Sequence, residues 1–333
     1  MKNKSFQGLL QRFFLERLMK QKNVSPRTIS SYRDTFRLFL KYMNEEIPCN
    51  PLNISIEMVN AETVIGFLNY IETVRNNSIK TRNNRLAALH SFMNYVSFQA
   101  PEYLAITQRV MSIPFKKTET KQVNYLIREE VDAILNVCNL NYWIGRRDRA
   151  MISVLYNTGV RVSELISIRK KDIILSRNRM GSIRIMGKGR KERVIPIWKT
   201  TQGYLREFIK EIGENDDDYL FTNSQGEQLT RSGIRYRLDC LALSASHDCP
   251  SLKKKRVTPH VFRHTTAMHL LEAGVDISTI AIWLGHESME TTHKYMVADL
   301  RLKEKALAKV SEPKGSTYRY KPSADILNFL DTL

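Results

Sequence analysis

Hydrophobic residues recur at helical spacing along the first third of the chain. After Ser25 and Pro26 the apolar residues repeat at spacings of three and four: Ile29, Tyr32, Phe36, Phe39 and Leu40. Ser25 suits an N-cap, and proline is favoured at the first helical position. The segments SIEMVNAETVIGFLNYI and IKTRNNRLAALHSFMNYVSF carry two more apolar faces, and QGLLQRFF begins an amphipathic helix. The pattern predicts four or five helices within residues 1–110.

The hydrophobic pattern is interrupted at residues 113–122, which are polar and basic and predict a linker. Helical periodicity returns in YLIREEVDAILNVC and in RDRAMISVLYNTGVRVSELISI, which has a turn at Thr158–Gly159. GSIRIMGKGRKERVIPI then alternates apolar and basic residues around a Gly-Lys-Gly turn, which predicts a hairpin of two or three strands. Helices resume at TQGYLREFIKEI. We therefore expect a helical domain over 1–112, and a mainly helical domain with a small sheet over 123–300.

The net charge of the chain indicates which class of molecule it binds. Its 333 residues suffice for two domains, and 52 Lys and Arg against 34 Asp and Glu give a net charge of +18. Such an excess attracts polyanions. Nucleic acid is the leading partner; an anionic membrane is disfavoured because no apolar run of 18 residues, signal peptide or lipidation motif is present. Basic residues expected to point outward and contact DNA phosphates, rather than only water, are Arg27, Arg33, Lys80, Arg82 and Arg85.

The four cysteines, Cys49, Cys138, Cys240 and Cys249, form no CxxC pair. His247 and Cys249 alone do not make a metal site, since no second pair of ligands stands nearby. Reduced thiols in a cytoplasmic protein are the simplest interpretation.

Two short motifs contain candidate phosphate-binding groups. In TGVRVSEL, Arg161 and Glu164 are three residues apart and form either a local ion pair or a phosphate clamp oriented by the carboxylate. In MGKGRKER, Lys188 lies on the hairpin turn. The glycine spacing does not fit a nucleotide-binding loop, and Lys188 is either a proton donor to a leaving oxygen, a DNA-backbone contact or a solvated lysine.

Three further motifs complete the candidate set. In TPHVFRHTTAMHL, His260 and Arg263 share a helix face. His260 and His264 have a spacing that also suits zinc, but HExxH is absent and Arg263 lies between them. His286 follows a glycine in LGHES, and Tyr295 follows His286 by nine residues in the sequence.

Each of these residues alone is more often structural, but together they can cleave a phosphodiester. Two arginines can neutralise the transition-state charge. A lysine can protonate the leaving 5′ oxygen, histidines can transfer protons, and a tyrosine can attack phosphorus and hold the DNA covalently. This chemistry needs no metal ion, because the arginines supply the positive charge.

These residues, in this order, resemble the tyrosine recombinase/integrase family: Arg161, Glu164, Lys188, His260, Arg263, His286 and Tyr295. The resemblance implies a helical core-binding domain and a mixed α+β catalytic domain that form a C-shaped clamp on duplex DNA. It also implies a 3′-phosphotyrosine intermediate at Tyr295, a Holliday junction, and integration, excision or transposition of a DNA element. The resemblance also implies that no nucleotide cofactor is needed. Arg190 and Lys191 are further expected DNA contacts.

The expected assembly, by the same resemblance, is a homotetramer on two duplexes that carry inverted-repeat core sites. The protein would be a monomer in free solution, with an accessory recombinase or directionality factor as a further partner. The chain begins close to the core-binding helices, which favours an Xer-like or transposon-encoded architecture without an arm-binding domain.

Residues 301–333 form a predicted tail after the catalytic domain. Apolar residues in PSADILNFLDTL predict a short helix near 323–331, which docks on a neighbouring protomer or packs on its own domain. Two rival functions remain open at this point. One is strand relaxation of the type IB topoisomerase kind, and the other is DNA binding by a regulator without catalysis.

Overall fold

The computed structural model describes residues 5–46, 54–118, 123–176, 179–187, 191–213, 215–286 and 292. The chain divides into two compact units, Met1–Lys121 and Gln122–Leu333. The predicted architecture, mainly helical with a small sheet, is confirmed. No helix in the described part is long and apolar enough to cross a membrane.

Every regular element in the described part of the first unit is a helix. Its helices are α1 (Phe6–Arg12), which continues as a π-helical segment (Phe13–Gln21), α2 (Pro26–Glu46), α3 (Ala61–Thr73), α4 (Ile79–Gln99) and α5 (Leu104–Met111), with a 3-10 turn at Pro101–Tyr103. The predicted start of α2 is confirmed, because the Ser25 hydroxyl accepts a hydrogen bond from the Thr28 amide at 3.2 Å. Asn60 and Ser78 cap α3 and α4 in the same way.

Aromatic side chains hold the first unit together. The Phe13 and Phe36 rings both meet Phe92 edge-on, with centroids 5.4 and 5.3 Å apart. Phe39 meets Phe67 in the same geometry at 5.2 Å. Edge-to-face pairs add to the stabilisation from burial alone, so these contacts join the π-helical segment, α2, α3 and α4 in one core.

The expected outward position of Arg82 is wrong. Arg82 is 6% exposed, donates to the Pro114 carbonyl oxygen at 3.2 Å and lies 3.7 Å from the Glu72 carboxylate. Lys116 pairs with the same carboxylate at 2.7 Å, and Ile113 is buried in the core. Residues 113–116 of the predicted linker therefore pack on the first unit, and Arg82 holds them there.

The second unit contains seven α-helices and one sheet among its described residues. The helices are α6 (Arg128–Asn136), α7 (Trp143–Thr158), α8 (Val162–Leu165), α9 (Lys199–Ile209), α10 (Arg231–Ala245), α11 (Pro259–Glu272) and α12 (Ile277–Leu284), and 3-10 turns lie at Lys170–Asp172 and Pro250–Lys254. Strands β1 (Ile173–Ile174), β2 (Gly181–Met186) and β3 (Glu192–Ile197) form an antiparallel sheet in the order β1-β2-β3. The predicted hairpin is β2–β3, and Arg193 stands opposite Ile185 in it.

Helix α7 is the central element of the second unit, and every residue from Ala150 to Thr158 is buried. It supports the sheet through Asn157, which donates to the Pro196 carbonyl oxygen at 3.1 Å and accepts from the Trp198 amide at 2.8 Å. At its other end Asp148, with no exposed surface, pairs with Arg147 and Arg237, both at 2.7 Å. These contacts fix the helix whose last turn leads into the candidate site.

Candidate active site

Two helix ends are joined by one buried arginine. Helix α7 ends at Gly159 and α12 at Gly285, with φ values of 60° and 65°, a left-handed conformation that favours glycine. Arg263 of α11 is 4% exposed. It donates to the carbonyl oxygens of Gly159 and Leu284, both at 2.7 Å. Carbonyl groups at a helix C-terminus lack partners within the helix and carry partial negative charge, so they attract a guanidinium.

Arg161 approaches the end of α12 from another side. It is the N-cap of α8, and its guanidinium donates to the Gly285 carbonyl oxygen at 2.8 Å and to the Glu164 carboxylate at 2.9 Å. Glu164 also accepts from the Arg161 amide at 2.8 Å. The ion pair that the sequence allows is thus present, and capping geometry at the start of α8 creates it. The Arg161 side chain is 32% exposed, so part of the guanidinium stays accessible to a ligand.

The Glu164 carboxylate receives a second arginine that the sequence analysis did not select. Arg193 donates to both Glu164 oxygens, at 3.2 and 2.7 Å. Burial alone would raise the pKa of Glu164. The hydrogen bonds from Arg193 and from the Arg161 amide, with the charges of both guanidinium groups, lower it instead. Glu164 is therefore a buried carboxylate held in its ionised form.

His286 directly follows the glycine that ends α12. Its Nδ1 lies 2.7 Å from the Thr292 hydroxyl oxygen, and its amide donates to the Ala281 carbonyl oxygen at 2.9 Å. A pocket at this point is lined by basic and glycine residues together with Glu192 and Ile282: Arg161, Gly187, Lys191, Arg193, Gly285 and His286. The positive charge of this lining suits a phosphate.

The other predicted site residues fall in different places. His260 is exposed in the first turn of α11, one turn before Arg263, and Lys191 is exposed just before β3. The Gly187 amide donates to the Lys191 carbonyl oxygen at 2.8 Å, which closes the base of the hairpin turn. Lys188, Arg190, Tyr295 and the predicted helix near 323–331 lie outside the described residues.

The basic residues of the first unit surround the N-terminal halves of α2 and α4. Arg27, Arg33 and Lys80 are exposed, and Arg85 is half-buried. A groove there is lined mainly by hydroxyl, amide and guanidinium groups together with Asp34: Arg27, Ser30, Ser31, Thr35, Thr81, Asn84 and Arg85. Arg85 Nε is buried, and no residue that the structure describes accepts a hydrogen bond from it.

Chemically, the described part of the site offers guanidinium groups, an imidazole and the Lys191 ammonium group. Among the described residues there is no group of three histidine, cysteine, aspartate or glutamate side chains placed to share a metal ion. An anionic group with several oxygens, such as a phosphodiester, matches the donors that are present.

Comparison with known proteins identifies relatives of both units. Residues 124–300 match the phage integrase family, and residues 11–98 match the phage integrase N-terminal SAM-like domain. The chain is 44% identical over 332 residues to the putative integrase/recombinase y4rC of Sinorhizobium fredii, which covers 100% of this chain and 99% of that protein. It is 32% identical over 298 residues to the tyrosine recombinase XerD of Oceanobacillus iheyensis, covering 87% of this chain and 94% of the relative.

A solved structure shares the fold. The XerH site-specific recombinase, in a post-cleavage complex with its palindromic difH substrate, aligns with a TM-score of 0.70 and 22% sequence identity. The alignment covers 86% of this chain and 81% of XerH.

Proposed function

Because this chain belongs to the phage integrase family of tyrosine recombinases, we propose that it cuts and rejoins duplex DNA through a 3′-phosphotyrosine at Tyr295. The observation that carries the proposal is the meeting of Arg161, Arg263 and His286 at the end of α12. The chain places Tyr295 nine residues after His286. The proposed reaction would combine charge neutralisation by Arg161 and Arg263 with Tyr295 as the nucleophile.

In the proposed cleavage step, the Tyr295 phenol oxygen attacks phosphorus and the bond from phosphorus to the 5′ oxygen breaks. Arg161 and Arg263 stabilise the charge that accumulates on the non-bridging oxygens. A histidine, His260 or His286, takes the phenol proton, and Lys188 gives a proton to the leaving 5′ oxygen. In the second step a 5′ hydroxyl attacks the phosphotyrosine and releases Tyr295, so the bond energy is conserved and no nucleotide is consumed.

The first unit would bind the duplex through the groove between α2 and α4. Burial, followed by the charge of Arg75, lowers the pKa of Arg85, and its Nε has no acceptor among the described residues. Arg85 also lines the groove, so a DNA phosphate or base edge that enters it would meet the guanidinium. Arg27, Arg33 and Lys80 would contact phosphates at the edges of the same groove.

The proposed working form is a homotetramer on two duplexes with inverted-repeat core sites, and strands are exchanged through a Holliday junction. Residues 1–112 would act as the core-binding domain and residues 123–300 as the catalytic domain. The tail over 301–333 would carry the helix near 323–331 that links protomers. The protein would act on DNA in the bacterial cytoplasm, as a monomer before it meets its site.

A nicked suicide substrate tests whether Tyr295 is the nucleophile. Cleavage releases a short fragment that carries the free 5′ hydroxyl, and loss of this fragment traps the covalent adduct. The substrate would carry the inverted repeats that we expect in the DNA flanking the gene. The wild-type chain should form an adduct that resists SDS, Tyr295→Phe should form none, and Tyr236→Phe, which alters an exposed tyrosine, should behave as wild type. An adduct with Tyr295→Phe would refute the assignment. No adduct with the wild type would favour the non-catalytic regulator, and relaxation without strand exchange would favour the topoisomerase.

A further inference from the structure

The guanidinium group of Arg193 contacts two parts of the candidate site at once. Its two terminal nitrogens donate to the two oxygens of Glu164, at 3.2 and 2.7 Å, and its Nε donates to the Trp283 carbonyl oxygen at 3.2 Å. Trp283 precedes Leu284 and Gly285, whose carbonyl oxygens receive Arg263 and Arg161. Arg193 thus holds the carboxylate that orients Arg161, and it also holds the helix end on which both active-site arginines rest.

The space around Arg193 is shaped by two glycines. A Cβ atom on Gly285 would lie 2.8 Å from Arg193 Nη1 and 3.0 Å from its Cζ, and a Cβ on Gly187 would lie 3.3 Å from Nη1. Gly187 precedes Lys188 in the sequence, and its amide closes the hairpin turn. The guanidinium is therefore enclosed between the hairpin and the end of α12.

The hydrogen bonds of Arg193 indicate that it holds other site residues in place rather than contacting DNA. Its side chain is 12% exposed, and three of its five N–H groups are used by Glu164 and Trp283. Arg161, by comparison, is 32% exposed and is better placed to meet a phosphate. A planar fork can bridge two carboxylate oxygens, whereas a lysine ammonium acts as a point charge.

We propose that Arg193 is a positioning residue for strand cleavage: it fixes Arg161 through Glu164 and ties the hairpin that carries Lys188 to the helix end before His286. This role rests on the proposed function. A misplacement of about 1 Å at a reacting group lowers the rate by about 100-fold. Loss of the Arg193 guanidinium should therefore slow cleavage and leave the affinity for intact DNA unchanged.

The test uses the full chain with Arg193→Lys, Arg193→Met and a matched pair on the same hairpin, Arg184→Lys and Arg184→Met. Arg184 is half exposed and pairs with Glu192 at 3.1 Å. Single-turnover adduct formation on the suicide substrate should fall by about 100-fold for Arg193→Met and by more than about tenfold for Arg193→Lys. Both Arg184 variants should stay within about twofold of the wild type.

Two further readouts separate positioning from general damage. The pH profile of cleavage is the first: without the Arg193 guanidinium the pKa of Glu164 moves up, so the rate for Arg193→Lys should fall more steeply than the wild-type rate as the pH is lowered into the mildly acidic range. DNA affinity in a Tyr295→Phe background is the second, and it should match between Arg193→Lys and Arg184→Lys. Tryptophan fluorescence checks that each variant is folded. If Arg193→Met unfolds, the positioning role is judged from Arg193→Lys.

The outcomes are distinct. If the wild type forms no adduct, the proposed function fails before Arg193 is tested. If the wild type cleaves and Arg193→Lys cleaves equally fast with the same pH profile, the positioning role is overturned. If Arg193→Lys weakens DNA binding more than Arg184→Lys does, Arg193 is a direct DNA ligand and the positioning role is equally overturned.

Discussion

Replacing Glu164 with glutamine should destabilise the second unit far more than an ordinary surface substitution. The carboxylate is 5% exposed and accepts four N–H groups, two from Arg161 and two from Arg193, at distances from 2.7 to 3.2 Å. Glutamine has the same shape but only one acceptor oxygen, and its amide would face guanidinium N–H groups. Both arginines would then lose an acceptor and their compensating charge.

The expected cost follows from these contacts. A hydrogen bond to a charged group contributes about 1.5–3 kcal/mol, and removal of one partner of a buried ion pair costs about 3–5 kcal/mol. Because the Arg161 side chain is 32% exposed, water compensates part of its loss. We expect Glu164→Gln to lower the free energy of unfolding at pH 7 by about 3 kcal/mol.

Tryptophan fluorescence during urea unfolding isolates the relevant unit. All three tryptophans, Trp143, Trp198 and Trp283, belong to the second unit, so their signal reports its unfolding and not that of the first. The matched control is Glu207→Gln, which removes a carboxylate that is 66% exposed. This control should change the unfolding free energy by less than about 0.5 kcal/mol.

The pH dependence gives an independent check on the cause. The pKa of Glu164 is lowered in the folded protein, so its contribution is complete above the unfolded pKa of about 4.3 and is lost as the pH falls through the folded value. The gap between wild type and Glu164→Gln should be equal at pH 7 and pH 5.5 and should narrow below about pH 4. A gap no larger than that of Glu207→Gln, or one that persists unchanged in acid, would refute the reasoning.

Three other outcomes are expected. Gly285→Ala should destabilise the second unit by roughly 1–2 kcal/mol in tryptophan-monitored unfolding. The reason is that φ is 65° and the new methyl group meets the Arg193 guanidinium. The control Gly203→Ala, which places a methyl group in open space in α9, should be neutral or stabilising. Arg85→Ala should weaken DNA binding and reduce the salt slope by about 0.9 in a titration of affinity against salt; an unchanged slope would exclude a phosphate contact. Burial raises the pKa of Cys138 to about 12, so mass spectrometry should find it unalkylated in the folded chain at pH 8 under conditions that modify the half-buried Cys240; modification at both would contradict this.

Local sequence signals predicted the elements well because the interactions that create them are themselves local. The Ser25 cap at α2, the turn at Gly159 and the hairpin β2–β3 all depend on residues within a few positions of one another. The ion pair between Arg161 and Glu164 spans three residues and was predictable for the same reason. Such features need no knowledge of the tertiary fold.

Contacts between distant segments were not predictable in the same way. Arg82 follows the helical pattern of α4 and resembles a surface residue, but its partners Glu72 and Pro114 come from α3 and from the segment after α5. Arg193 occupies a basic position in an alternating strand, and its partner Glu164 is 29 residues earlier. A basic residue on an amphipathic element is usually solvated, so only the tertiary structure distinguishes the buried exceptions.

The motifs occur together for a structural reason, because an arginine of one motif hydrogen-bonds to a helix end in another. The glycine of TGVRVSEL ends α7, and its carbonyl oxygen receives Arg263 from HVFRHTTA; the glycine of LGHES ends α12, and its carbonyl oxygen receives Arg161 from TGVRVSEL. A helix end has carbonyl groups that need donors from outside the helix, and here the donors are the two arginines of the candidate site. The motif glycines thus help to place the guanidinium groups, and the loss of one motif would disturb the geometry of the others. This interdependence is a physical reason for these three sequence motifs to occur as a set.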